Sequence, residues 1–167
     1  GCLAERYQTE IRKELPEVDA VLGIGANKDI ALALKEALEG HKKELFASKY
    51  DLSLSGERVL STPKFYAYLK ISDGCDNCCT YCAIPLIRGR FRSRTMEDIV
   101  AEAEQLVANG VKELIVIAQD TTRYGEDIYG KLMLPELLCR LCKIEGAHWI
   151  RLLYCYPNRI TDELIDV

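Results

Sequence analysis

The 167-residue sequence predicts an α/β fold in two parts: the end of one α/β domain, then the first three βα units of a (β/α) barrel. Three observations carry this. Residues 1–40 read as helix, strand, helix; residues 41–64 are rich in charge and serine and show no sustained period; and over 65–167 strands and helices alternate, as a parallel sheet with crossover helices requires. The middle stretch is therefore read as a linker between the two parts.

Leu3, Tyr7, Ile11 and Leu15 recur every four positions, a helical stripe that ends where Pro16 removes a backbone donor. "VDAVLGIG" is a short apolar run suited to a buried strand. Asn27 can cap a second helix with the stripe Ile30, Leu34, Ala37 and Leu38, closed by Gly40. After the linker, which begins "HKKELFASKYDLS", "FYAYLKIS" forms a strand that leads straight into a cysteine loop. Thr95 caps a helix carrying Met96, Ile99, Val100, Ala103, Leu106 and Val107, stopped by Asn109–Gly110. "VKELIVIA" is a near-continuous apolar strand of the kind buried on both faces of a parallel sheet. The loop "QDTTRYGEDIYG" leads to a helix opened by Pro135 with Leu137, Leu138, Leu141 and Ile144 inward. "WIRLLYCY" is the third strand, and "TDELI" starts a third helix. In barrels of this kind chemistry gathers in the loops that follow the strands, and the cysteine loop follows the first.

Hydrophobic content of 49% with 29% charged residues is that of a globular protein, and no run approaches the roughly 20 apolar residues of a membrane span. The chain opens on Gly1 without a secretory signal, which points to the cytoplasm and away from a membrane; lacking an initiator methionine and stopping in "TDELIDV", it is expected to be a fragment of a longer protein. A net charge of -4 gives no general pull toward nucleic acid. Eight cysteines in a reducing compartment, four of them crowded into one loop, suggest metal rather than disulfides.

That loop, "DGCDNCCTYCAIPLIRGR", reads in two registers. Cys75-Cys78 with Cys79-Cys82 gives two CxxC pairs, the material of a four-thiolate zinc module; Cys75, Cys79 and Cys82 give CxxxCxxC. Adjacent Cys78 and Cys79 make convergence on the four corners of one ion awkward. A cubane iron–sulfur cluster is wider, and three ligands in one loop can wrap it while its fourth iron stays open for another molecule. An electron carrier would close that iron with a fourth cysteine, but Cys155 in "YCYP" lies in a predicted strand far along the chain. Gly74 suits the sharp turn out of the strand.

CxxxCxxC with Tyr81 before its last cysteine, in the loop after the first strand of a βα repeat, resembles the radical S-adenosylmethionine enzymes. The continuation "CAIPLIRGRFRSR" is similar to the methylthiotransferases among them, and "GCLAERY" resembles the end of their N-terminal domain, in which three cysteines hold a second cluster. The loop "AQDTTRYG" and the strand end "YCYP" resemble the branch that modifies a ribosomal protein. The transfer RNA branch tends to have a "GQN" loop and an "SHP" strand end. Cys78 departs from the pattern, since that position commonly carries Arg or another polar residue.

The resemblance implies residues 1–40 as the end of the methylthiotransferase domain and 65–167 as the start of a radical-SAM partial barrel. It implies that Cys75, Cys79 and Cys82 ligate a 4Fe-4S cluster whose open iron takes S-adenosylmethionine. Cys2 would be one ligand of a second 4Fe-4S cluster, with its partners upstream, so that the full protein holds two clusters and this stretch one complete site. Reduced by a flavodoxin-like or ferredoxin-like donor, the enzyme would replace a β-carbon hydrogen with a methylthio group on an aspartate of small-subunit ribosomal protein S-twelve. A transfer RNA adenosine methylthiotransferase is the alternative enzyme, and a zinc-binding module the alternative outside enzymes. The isolated fragment is expected not to turn over.

Tyr81, Arg88, Gln119 and Asp120 are the candidate cofactor contacts. Tyr81 could instead fill core, and Asp120 could cap a turn, as Thr121 is expected to. Arg88, Arg90, Arg92 and Arg94 alternate, which would place them on one side of an extended segment; such runs are often solvated, and only Arg88 and Arg94 fall on the motif. Cys139 and Cys142 are expected to fill core on a helix. The glycines of "GIGANK" lack the third Gly of a dinucleotide loop, and His41 and His148 have no partner at a ligand spacing.

Overall fold

The computed structural model describes residues 1–51, 56 and 58–167. The chain forms two compact units: Gly1–Ser53 with Asp76–Arg90, and Leu54–Cys75 with Phe91–Val167. The segment 76–90 thus packs with the N-terminal residues rather than with the strands that flank it in sequence. That grouping cuts across the sequence-based boundaries, and part of the expected linker, 52–55 and 57, lies outside the described residues.

The first unit contains α1 (Cys2–Arg6), α2 (Ile11–Glu14), β1 (Ala20–Leu22), α3 (Ile30–Leu38), β2 (Lys43–Leu45) and α4 (Ile84–Arg88). β1 and β2 pair in parallel, with Val21 opposite Glu44. Residues 43–45 therefore belong to a sheet, not to a linker; three residues are too few to show a period, and the pairing that makes them a strand is not local. The single helix expected from Leu3 to Leu15 is two, because Tyr7 leaves the helical region at φ −120°, ψ 45° and closes α1. Burial does not follow the apolar stripes: Leu3, Tyr7, Leu34 and Leu38 are exposed, and the small Ala4 and Ala33 are buried.

Asn27 caps no helix. It lies in a 3-10 segment, Ile24–Asp29, that leads into α3 with Asp29 at the N-cap making no side-chain bond. The glycines of "GIGANK" serve close packing: a Cβ on Gly25 would stand 2.1 Å from the Ser48 carbonyl oxygen.

The second unit holds β3 (Tyr66–Lys70), β4 (Ser72–Asp73), β5 (Arg92–Ser93), α5 (Met96–Ala108), β6 (Glu113–Ile117), α6 (Glu126–Tyr129), α7 (Leu134–Cys142), β7 (Trp149–Leu152) and α8 (Asp162–Asp166). β3, β6 and β7 form a parallel sheet in that order, with Leu69 opposite Val116 and Leu114 opposite Ile150. Neighbours in sequence are neighbours in the sheet and no reversal occurs, the order a barrel wall requires. The short β4 and β5 pair antiparallel beside it.

The expected helices here are present. The Thr95 side chain accepts from the Asp98 N–H to open α5, and Gly110, at φ 97°, follows its end. Met96, Ile99, Ala103 and Leu106 of α5 and Leu134, Leu137 and Leu141 of α7 pack with Leu69, Leu114 and Val116 in one core. Cys142 does not fill core as expected. It is exposed and Cys139 half-buried, because the leucines of α7 claim the inward face and a residue one step past Leu141 is turned about 100° from it.

Leu114 has no exposed surface, so Leu114→Ala in the full-length protein is expected to cost about 2–5 kcal/mol in a denaturant unfolding curve. Tyr124 is equally buried; its hydroxyl donates to the Arg94 carbonyl at 3.0 Å, and burial pushes the phenol above its ordinary 10.0. A raised folded value means stability that is complete below pH 10.0 and falls as the pH rises past it, since only the unfolded phenol ionises there. Tyr124→Phe should flatten that alkaline fall in unfolding curves taken from neutral to high pH.

Candidate functional site

β3 is followed by β4, the buried Ser72 and Asp73, which leads into the cysteine loop. Asp73 is fully buried, with Lys70 Nζ 2.6 Å from one carboxylate oxygen and Arg92 Nη2 3.1 Å from the other. A buried carboxylate is costly unless paired, so the two cations fix its place, and Arg92 joins the strand that leaves for the loop to the strand that returns from it. Gly74 follows at φ 73°, in the left-handed region, as the sharp turn requires. Cys75 is buried and ends this part of the second unit.

In the first unit the loop continues. Cys78 is exposed and takes φ 49°, so it occupies a turn position that residues with a Cβ rarely adopt. The Cys82 N–H donates to the Cys79 carbonyl at 3.0 Å, which closes a turn holding these two half-buried thiols. Tyr81 between them is 91% exposed, so it is not filling core. Ala83 then opens α4, a helix within the stretch the sequence alone presents as loop. None of the eight cysteines is in a disulfide, and among the described residues no three His, Cys, Asp or Glu side chains are gathered to hold a single metal ion.

The alternating arginines do not share a side. Arg88 ends α4, and its Nη2 donates to the Cys2 sulfur at 3.3 Å. Gly89 follows at φ 81°, breaking any extended run. Arg90 is exposed beside Asp76, and Arg92 pairs with Asp73. Arg94 is buried and satisfied: it donates to Asp98 at 3.0 Å, Glu102 at 2.5 Å and the Lys70 carbonyl at 2.9 Å, tying the end of β3 to α5. Its motif position therefore serves the fold.

At the end of β6, Gln119 is half-buried, while Asp120 is fully buried and accepts from the Thr122 hydroxyl at 2.6 Å. Thr121 does more than cap a turn. Its hydroxyl donates to the Leu153 carbonyl at 2.9 Å, its N–H donates to the Tyr154 carbonyl at 3.1 Å, and the Tyr156 N–H donates to Thr122 Oγ1 at 3.3 Å. These bonds hold the "YCYP" turn, in which Tyr154 adopts φ 62°. Arg123 donates to Glu126 at 2.6 Å and, with Arg159, holds that carboxyl below its usual range.

Residues 69–167 match the radical SAM superfamily, which spans more than half of the chain. The chain belongs to that superfamily, whose members carry a 4Fe-4S cluster and use S-adenosylmethionine. Over nearly its whole length it is similar to proteins named ribosomal protein uS12 methylthiotransferase RimO. Identity is 54% over 167 residues with the Clostridium tetani protein, covering 99% of this chain and 38% of the relative. It is 52% over 168 residues with that of Clostridioides difficile, covering 100% and 38%. With Pelotomaculum thermopropionicum it is 55% over 166 residues, covering 99% and 37%. The chain thus spans under two-fifths of the length of these relatives.

The donor set suits the cluster: three thiols at the CxxxCxxC spacing, none of them in a disulfide, match the soft-ligand preference of iron–sulfur groups. No helix among the described residues is long and apolar enough to cross a membrane. Sequence reasoning missed Asp73, the Thr121–Thr122 clasp and the Arg88–Cys2 contact. Each joins residues at least 19 apart except Lys70–Asp73, whose three-residue spacing was the one local signal.

Asp73→Ala leaves Lys70 and Arg92 without their shared carboxylate. In the full-length protein it should cost about 3 kcal/mol in a denaturant unfolding curve, with Asp73→Asn recovering part by keeping the acceptor oxygen.

Proposed function

We propose that the protein of which this chain is part is a radical-SAM methylthiotransferase acting on an aspartate of small-subunit ribosomal protein uS12, where a methylthio group replaces a β-carbon hydrogen. The observation that carries this is the CxxxCxxC loop leaving the first strand of a parallel βα sheet, in a chain of that superfamily. The names of its relatives support the substrate, as do the "AQDTTRYG" and "YCYP" segments. Nothing favours the zinc module, and the relatives favour the ribosomal-protein branch over the transfer RNA branch.

In this reading β3, β6 and β7 are the start of a partial barrel, with residues 1–40 the end of the methylthiotransferase domain and 65–167 the start of the radical domain. Cys75, Cys79 and Cys82 hold one 4Fe-4S cluster, and Cys2 is one ligand of a second. When bound, the cluster supplies the electron that cleaves the sulfonium of S-adenosylmethionine. The chain's own part is binding, orientation and exclusion of water. Asp73 and Gly74 aim the loop as it leaves the strand, exposed Tyr81 offers a face to the adenine, and Gln119 presents an amide at the end of β6. Asp120, buried against Thr122, shapes that loop from beneath. A flavodoxin-like or ferredoxin-like protein would reduce the cluster in the cytoplasm.

Anaerobic reconstitution of the full-length protein tests the register. Cys79→Ala should abolish the S-adenosylmethionine-sensitive electron paramagnetic resonance signal, whereas Cys78→Ala should keep it. Mass spectrometry of uS12 incubated with the reconstituted enzyme should show the methylthio mass increment on an aspartate; its appearance instead on transfer RNA would favour the alternative branch.

A further inference from the structure

Arg88 was expected near S-adenosylmethionine, yet its guanidinium is turned onto the sulfur of Cys2, with Nη2 3.3 Å from Sγ. The two residues are 86 positions apart, and both belong to the first unit. The surroundings hold this contact in place. α4 begins directly after Cys82 and packs on α1, which carries Cys2. Lys49 Nζ donates to the Leu86 carbonyl at 2.6 Å, satisfying one of the acceptors at the end of this short helix. Gly89 leaves the helix at φ 81° where a Cβ would meet the Tyr50 hydroxyl at 2.9 Å, so the chain turns away immediately after Arg88. The Arg-Gly pair thus has a local reason: the glycine permits the close exit, and the arginine is presented backward to α1.

We propose that Arg88 is a positioning residue for the Cys2 sulfur, orienting it as a cluster ligand and compensating its negative charge. This rests on the reading that Cys2 ligates the second cluster. A guanidinium remains charged at any working pH and has only donors, while a cluster-bound thiolate accepts N–H bonds through its remaining lone pairs. Such bonds to ligand sulfurs orient the ligand and favour the more negative, reduced state of the cluster. Because α4 continues from the loop of Cys79 and Cys82, the same short helix that leaves one ligand set reaches the ligand of the other.

The test uses full-length protein reconstituted with iron and sulfide, as Arg88→Met, Arg88→Lys and Cys2→Ala, read by iron content and by potentiometric electron paramagnetic resonance titration of each cluster. Cys2→Ala should lose one cluster's worth of iron. Arg88→Met should shift the second cluster's midpoint potential to a more negative value while leaving that of the Cys75–Cys79–Cys82 cluster unchanged, and Arg88→Lys, which keeps the charge, should fall between Met and wild type. An Arg88→Met protein with both potentials unchanged, or with both shifted alike, would overturn the proposal. Full iron content in Cys2→Ala would instead overturn the reading of Cys2 on which it rests, so the two failures are distinguishable.

Discussion

The carboxylate of Asp73 is the constraint on which the rest of the second unit's site depends. A charge with no exposed surface must be met within the protein, and Lys70 and Arg92 meet it from the strand before the cysteine loop and the strand after it. Exit and return are thereby fixed to one another across the β4–β5 pair. Gly74 can then turn sharply, and Cys75 leaves from a defined point at the end of the sheet. A site that needs three thiols at set spacings benefits from a rigid point of departure.

The arginine run shows how one local pattern is divided by tertiary context. Arg88 serves a sulfur, Arg92 a buried carboxylate, the buried Arg94 two partly exposed carboxylates and a strand-end carbonyl, and only Arg90 is largely in solvent. The division follows from Gly89, whose positive φ rotates the chain between Arg88 and Arg90 and ends the alternation an extended segment would give. The clasp after β6 has the same character. Thr121 donates its hydroxyl to the Leu153 carbonyl and Thr122 Oγ1 accepts from the Tyr156 N–H, so that the strand-end loops after β6 and β7 support each other and Tyr154 is held in a backbone conformation that few tyrosines adopt.

Much of the second unit was legible in the sequence because its signals are local. Thr95 and Gly110 bracket α5, Pro135 opens α7, and the near-continuous apolar run of β6 is what a strand buried on both faces demands. The first unit was read less well for the opposite reason. Its helices are short, its apolar stripes at Leu3, Tyr7, Leu34 and Leu38 are exposed, and β2 exists only through its pairing with β1. Cys142 looked inward by spacing, but the leucines of α7 had already filled that face.

By itself the sequence determined the cysteine spacing, the order of strands and helices from residue 65 onward, and the family, because covalent spacing and hydrophobic period are properties of adjacent residues. Only the tertiary structure decided which side chains meet. It grouped residues 76–90 with the N-terminal segment, gave Asp73 its two cations and turned Arg88 onto Cys2. These are contacts between positions up to 86 residues apart, formed where burial requires every charge and donor to find a partner, and no local pattern in the chain encodes that requirement.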